Sequence, residues 1–166
     1  MIIYEEILNE FQRQKVKYVL MGGIAMNLLG SLRNTADLDL LVEMSDANLA
    51  KIVKILTKRG YHVKQPVDPM GIANAEVRKD WIKNKGMRTF NFYKDEGLQE
   101  VGIIIDSPVS YQKAQKAILK IKCAGMVLPV ISIDHLIKMK KKAGRDIDQA
   151  DVEELKLIKK FKGQYP

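Results

Sequence analysis

Thiols are nearly absent from this sequence, which carries the single cysteine Cys123. No internal disulfide can form, and the expected setting is a reducing, cytoplasmic one. The two histidines, His62 and His135, are far apart and lack ligand spacing or a cysteine cluster, which argues against zinc. No apolar run approaches the ~20 residues that a bilayer span requires, so no membrane is expected as a partner. The opening stretch MIIYEEILNEFQRQK places acids where a signal peptide carries bases. Repeats, low-complexity tracts and Pro/Gly/Ser-rich linkers are missing too, and no Ser-His-Asp or Cys-His arrangement stands out. The expectation is one domain over residues 1–166, ending in helices and long enough to bury a core unaided.

What is present is an ordinary soluble composition, with 46% hydrophobic and 29% charged residues. Lys and Arg number 28 against 20 Asp and Glu, a formal charge of +8. That excess leans toward phosphate-bearing partners such as nucleotides or nucleic acid, although the scattered lysines read equally well as a solvated surface.

Ile3, Ile7, Leu8 and Phe11 recur at helical spacing and predict a first amphipathic helix. Val16 to Met21 reads as a buried strand, broken by Gly22-Gly23 and followed by a short helix that Gly30 ends. Asp37 to Val42 begins with the alternation of a strand, and Ser45-Asp46 opens a helix that stops at Gly60. Tyr61 to Lys64 suggests an edge strand, and Ala73 to Trp81 a helix. Met87 to Tyr93 and Leu98 to Ile105 form a predicted hairpin around Lys94-Asp95-Glu96-Gly97. Trp81, Phe90, Phe92 and Tyr93 read as packing residues. A helix is expected from Ser110 to Leu119, two strands around Gly125, and helices from Ser132 to Lys142 and Asp148 to Phe161. Strands interleaved with helices, plus a hairpin, give an α/β (α+β) class with a mixed sheet of about four to six strands flanked by helices.

The stretch Met21 to Val42, MGGIAMNLLGSLRNTADLDLLV, carries the chemistry. Gly22 and Gly23 allow backbone angles closed to other residues, and the N–H groups of the helix that follows suit a phosphate. Asp37 and Asp39, two apart on a strand, share one face about 6.7 Å apart along the chain. Side-by-side carboxylates repel unless something positive lies between them, and hard cations such as Mg²⁺ favour such oxygens. A solvated edge, or ion pairs with a base such as Arg33, is the alternative. In the basic stretch IDHLIKMKKKAGR, Lys140 is either a phosphate contact or part of a solvated face with Leu136, Ile137 and Met139 packed inward. Asp148 and Asp151 read as helix-start and ion-pair residues.

The order Gly22-Gly23, Gly30, Arg33-x-Thr35-x-Asp37-x-Asp39 resembles the nucleotidyltransferase superfamily, with its DNA polymerase beta-like fold. It is most similar to small bacterial proteins related to abortive-infection and type IV toxin–antitoxin nucleotidyltransferases. Downstream, Lys85-Gly86-Met87, Phe90, Phe92-Tyr93, Val101 to Ile105, Pro108, Tyr111, Leu136-Ile137, Lys140, Ala143-Gly144-Arg145, Asp148 and Asp151 extend the likeness over most of the chain. The resemblance implies transfer of a nucleoside monophosphate from an NTP to a hydroxyl of an RNA, protein or small molecule. It also implies two Mg²⁺ (or Mn²⁺) ions on three carboxylates, and a toxin–antitoxin partner as one possibility. By this likeness Asp37 is the shared metal ligand, Asp39 the ligand nearest the attacking side, and Gly22, Gly23, Arg33 and Lys140 the phosphate-binding set.

The third carboxylate departs from the pattern, because Gly102 occupies its expected place within EVGIIID. Strand parity puts Glu100, Gly102, Ile104 and Asp106 on one face, so Glu100 or Asp106 can stand in as a metal ligand. If neither does, the chain is a nucleotide- or RNA-binding relative, or an antitoxin-type interaction protein, without turnover.

Overall fold

Leu38, Leu40, Leu41 and Val42 are all essentially buried, and only Asp39 interrupts them. Such a segment must lie at the middle of a sheet, covered on both faces. In the computed structural model, which describes residues 2–164, it does so as β2 (Leu38–Val42). The sheet has seven strands among the described residues. They are β1 (Tyr18–Met21), β2, β3 (His62–Val63), β4 (Thr89–Lys94), β5 (Gln99–Ile104), β6 (Leu119–Cys123) and β7 (Met126–Val130), in the order β3-β4-β5-β2-β1-β7-β6. β2 runs antiparallel to β1 and parallel to β5, so the sheet is mixed, as the interleaved pattern implies. Its seven strands exceed the expected four to six because the two-residue β3 and the β6–β7 hairpin join the same sheet.

The helices are α1 (Glu5–Arg13), α2 (Gly22–Leu29), α3 (Asp46–Lys58), α4 (Ala75–Lys85), α5 (Tyr111–Gln115), α6 (Ile133–Ala143) and α7 (Asp146–Gln164). Their starts follow the capping chemistry: Ser45, Asn74, Ser110 and Ser132 each accept a backbone N–H from the first turn. Gly30, Gly86 and Gly144 end α2, α4 and α6 in the left-handed conformation. α1 buries Ile7, Leu8 and Phe11, whereas Ile3 precedes it in a 3-10 turn and is 54% exposed.

Three helix expectations shift, one being the last, which opens at Asp146 instead of Asp148 and runs to Gln164 instead of Phe161. The one opened by Ser110 stops at Gln115 instead of Leu119, because Leu119 to Cys123 alternate in exposure and pair with β7. The one expected from Ala73 starts at Ala75, where Asn74 supplies the cap and a 3-10 turn over Pro69–Ala73 comes before it. Phe90, Phe92, Val101 and Ile103 fill the core face of the β4–β5 hairpin, and Trp81 stacks on Phe90 with ring centroids 5.2 Å apart. Among the described residues, no helix is long and apolar enough to cross a membrane.

Candidate active site

The register of the central strands fixes the site. Asp39 lies beside Met21 of β1 on one side and beside Gly102 of β5 on the other. Met21 is the last residue of β1, so the chain turns into α2 directly next to the Asp39 carboxylate. Gly22 makes that turn with φ +68°, and a Cβ there would collide with Oδ2 of Asp39. A Cβ on Gly23 would collide with Oγ1 of Thr35. The diglycine is therefore demanded by two side chains packed on the backbone, in addition to any ligand. Across the sheet, a Cβ on Gly102 would lie 2.9 Å from Oδ1 of Asp39. Asp39 thus occupies a slot that two glycines keep open.

Asp37 lies just before β2, exposed, and lines the same cavity as Asp39. The loop that carries it is tied down by Tyr4, a fully buried residue. The Tyr4 hydroxyl donates to the carbonyl of Ala36 and accepts the backbone N–H of Glu100 at 3.1 Å. The sequence carries no signal for this role beyond an aromatic at the edge of an amphipathic helix. Burial pushes the Asp39 carboxyl up to about 6, and the negative charge of Asp37 adds to the rise, against the opposing pull of Lys140.

The cavity measures about 750 Å³ and brings together Gly22, Gly23, Arg33, Asp37, Asp39, Asp106 and Lys140. Glu100 is on the expected face but not in the cavity wall. Its carboxylate is held by Lys64 at 2.8 Å and by the Asn91 amide at 2.6 Å. Among the described residues, no three His, Cys, Asp or Glu side chains converge where one metal ion could be held. The pair Asp37 and Asp39 does fit a divalent cation, since hard oxygens crowd there and the buried one is reluctant to ionise without a positive neighbour.

Arg33 and Lys140 reach the cavity already engaged. Arg33 pairs with Asp151, on α7, and not with Asp37 or Asp39. The Lys140 ammonium lies 2.7 Å from Asp151 and 3.3 Å from Asp148, and the residue is 7% exposed, so it does not belong to a solvated face. Arg145 closes the cluster with a 2.7 Å contact to Asp148. Burial opposes ionisation of Asp148, yet the Arg145 hydrogen bond and the Lys140 charge bring it below the usual carboxylate range. Three cations against two carboxylates leave this wall of the cavity net positive. Lys142, which the basic stretch offers as a further phosphate or RNA-backbone contact, also lines the cavity, as does Arg88, which sequence reasoning did not single out.

The family model for aminoglycoside-2''-adenylyltransferases matches residues 4–158. The chain belongs to this family. Among solved structures, it is similar to the lincosamide antibiotic adenylyltransferase LnuA with lincomycin bound, at 18% identity and a TM-score of 0.62, covering 92% of this chain and 94% of that one. It is also similar to ANT(2'')-Ia in complex with adenylyl-2''-tobramycin, at 14% identity and a TM-score of 0.58, covering 99% and 97%. No curated protein sequence matches. The nucleotidyltransferase fold inferred from the Gly-Gly and Asp-x-Asp elements is the one found.

Proposed function

We propose that the protein transfers a nucleoside monophosphate, adenylate as the family name suggests, from a triphosphate to the hydroxyl of a small molecule. The observation that carries this reading is the Asp39 slot between Gly22 and Gly102, with Asp37 in the same cavity. Asp37 and Asp39 would hold Mg²⁺ or Mn²⁺, which when bound neutralises triphosphate charge and stabilises the leaving oxygen. The unpaired N–H groups at the start of α2 suit the β- and γ-phosphates. Arg33 and Lys140, held by Asp151, lend positive potential to that wall.

The acceptor oxygen attacks the α-phosphorus while the bond from that phosphorus to the bridging oxygen of the β-phosphate breaks, and pyrophosphate leaves with the electron pair. The hydroxyl proton goes to a carboxylate. Asp106 is the candidate, being the one cavity acid that, among the described residues, neither forms an ion pair nor belongs to the Asp37–Asp39 pair. The test is incubation with labelled NTPs, Mg²⁺ or Mn²⁺ and a panel of hydroxyl acceptors, with the double variant Asp37→Ala, Asp39→Ala as control. Transfer that survives the double substitution rejects this site.

Gly102 favours a second reading, nucleotide binding without turnover, because it leaves Asp39 without a carboxylate at the register position beside it on β5. Calorimetric nucleotide binding with no pyrophosphate release under any acceptor supports it.

A further inference from the structure

The wall of the cavity facing the acceptor carries a charge pattern that selects among acceptors, an inference that rests on the transferase reading above. In the strand order β4-β5-β2-β1, the diglycine at the end of β1 and the residues of β4 and β5 flank Asp39 from opposite sides. With phosphates along the diglycine, an acceptor hydroxyl reaches the α-phosphorus from the β4–β5 side. There Arg88, Thr89, Ile104 and Asp106 form the wall.

Four acids line the cavity: Asp37, Asp39, Asp106 and Asp148. Asp148 is closed off by Arg145 and Lys140, and Asp37 with Asp39 forms the cation pair. Asp106 alone is left to meet an ammonium group. Glu100 is no reserve, since Lys64 and Asn91 occupy its carboxylate and it does not reach the cavity. Against this single acid stand Arg88 and Lys142, both exposed and, among the described residues, without an acidic partner within 4.0 Å. A polyamine needs several carboxylates and would instead face two uncompensated cations. A guanidinium such as that of Arg88 matches a phosphate or carboxylate in a bidentate way.

We propose that the acceptor is a hydroxyl compound bearing an anionic group held by Arg88, and that it is not a polyamine of the aminoglycoside type. Ile104, Pro108 and Met139 give its uncharged part an apolar surface.

The test is calorimetric titration of the full chain, saturated with Mg²⁺ and a non-hydrolysable ATP analogue so that the phosphate position is filled. The probes are glucose 6-phosphate, ribose 5-phosphate, glucose and tobramycin. At least one sugar phosphate binds with measurable affinity, and tobramycin shows no saturable binding. Arg88→Ala weakens the sugar phosphate at least tenfold, and Arg88→Glu abolishes its binding. Tobramycin binding as tightly as either phosphate, no binding of either phosphate, or Arg88→Ala leaving affinity unchanged each overturns the proposal. Failure of the analogue itself to bind, read in a prior titration, counts against the transferase reading instead. The same four probes without analogue then still report the charge preference of the cavity.

Discussion

Asp39 and Gly102 are register partners on adjacent parallel strands, so close that a Cβ on Gly102 would lie 2.9 Å from the Asp39 carboxylate and force it to shift. An aspartate at this point would put a third carboxylate against the buried one. In Gly102→Asp, repulsion of this kind lowers the melting temperature in EDTA, and Mg²⁺ raises it by more than it raises that of the wild type. If the natural protein is limited by its missing ligand, pyrophosphate release also rises, about tenfold or more. Unchanged release from an already active wild type assigns sufficiency to Asp37 and Asp39. Thermal melts with and without Mg²⁺, beside a pyrophosphate assay, read both effects.

Burial and the neighbouring Asp37 raise the Asp39 carboxyl from 3.8 to about 6, which makes this residue costly to ionise in the folded chain. The folded state therefore binds the proton more tightly than the unfolded chain between about pH 4 and 6. Stability falls as pH rises through that window and stays lower above it. Removing the charge in Asp39→Asn stabilises the metal-free protein at pH 7.5 by up to about 3 kcal/mol, from 1.36 kcal/mol per pKa unit. The gain shrinks toward zero at pH 4, while transfer is lost. Denaturant titrations at pH 4 and 7.5 in EDTA check the sign. A variant less stable than wild type at pH 7.5 contradicts it.

Much of this architecture was legible because local signals and tertiary demands agreed. The Ser caps, the glycine stops and the hairpin all follow from residue chemistry acting within a few positions. Strand parity placed Gly102 and Asp106 on the Asp39 face because the period of a strand is independent of what it packs on. Long-range facts were not legible. Nothing local indicates that Arg33 finds Asp151 on the last helix, 118 residues away, or that Glu100 turns to Lys64. The helix after Ser110 fails for the related reason that pairing with β7 outweighs helical preference beyond Gln115. Tyr4 is the clearest omission, since its partners lie 32 and 96 residues away.

The Tyr4 hydroxyl joins the Ala36 carbonyl, next to Asp37, to the Glu100 amide of β5. Tyr4→Phe keeps the buried ring and leaves both backbone groups short of a partner, at a cost of about 1–3 kcal/mol. As a positioning residue it affects the reaction through Asp37. The expected outcome is a fall in kcat of about tenfold and weaker Mg²⁺ binding, with the KM for the triphosphate changed little. A loss of stability at unchanged kcat and Mg²⁺ affinity reduces Tyr4 to a packing role.

Lys140 presents the opposite case, a cation committed to two acids before any phosphate arrives. Lys140→Met keeps the apolar stem and withdraws the charge from Asp148, which is fully buried, and from Asp151. Each acid retains an arginine partner, so the cost stays nearer that of a lost charged hydrogen bond, about 1.5–3 kcal/mol. Arg33 and Arg145 stay on their acids, and the positive potential of the wall falls by one charge. Triphosphate affinity is expected to drop about threefold to tenfold, with salt dependence reduced, while acceptor affinity stays unchanged. Pairing the substitution with Asp151→Asn restores the charge balance. If the double variant recovers stability but not triphosphate affinity, Lys140 itself touches phosphate; if it recovers both, the lysine acts through the balance of the cluster.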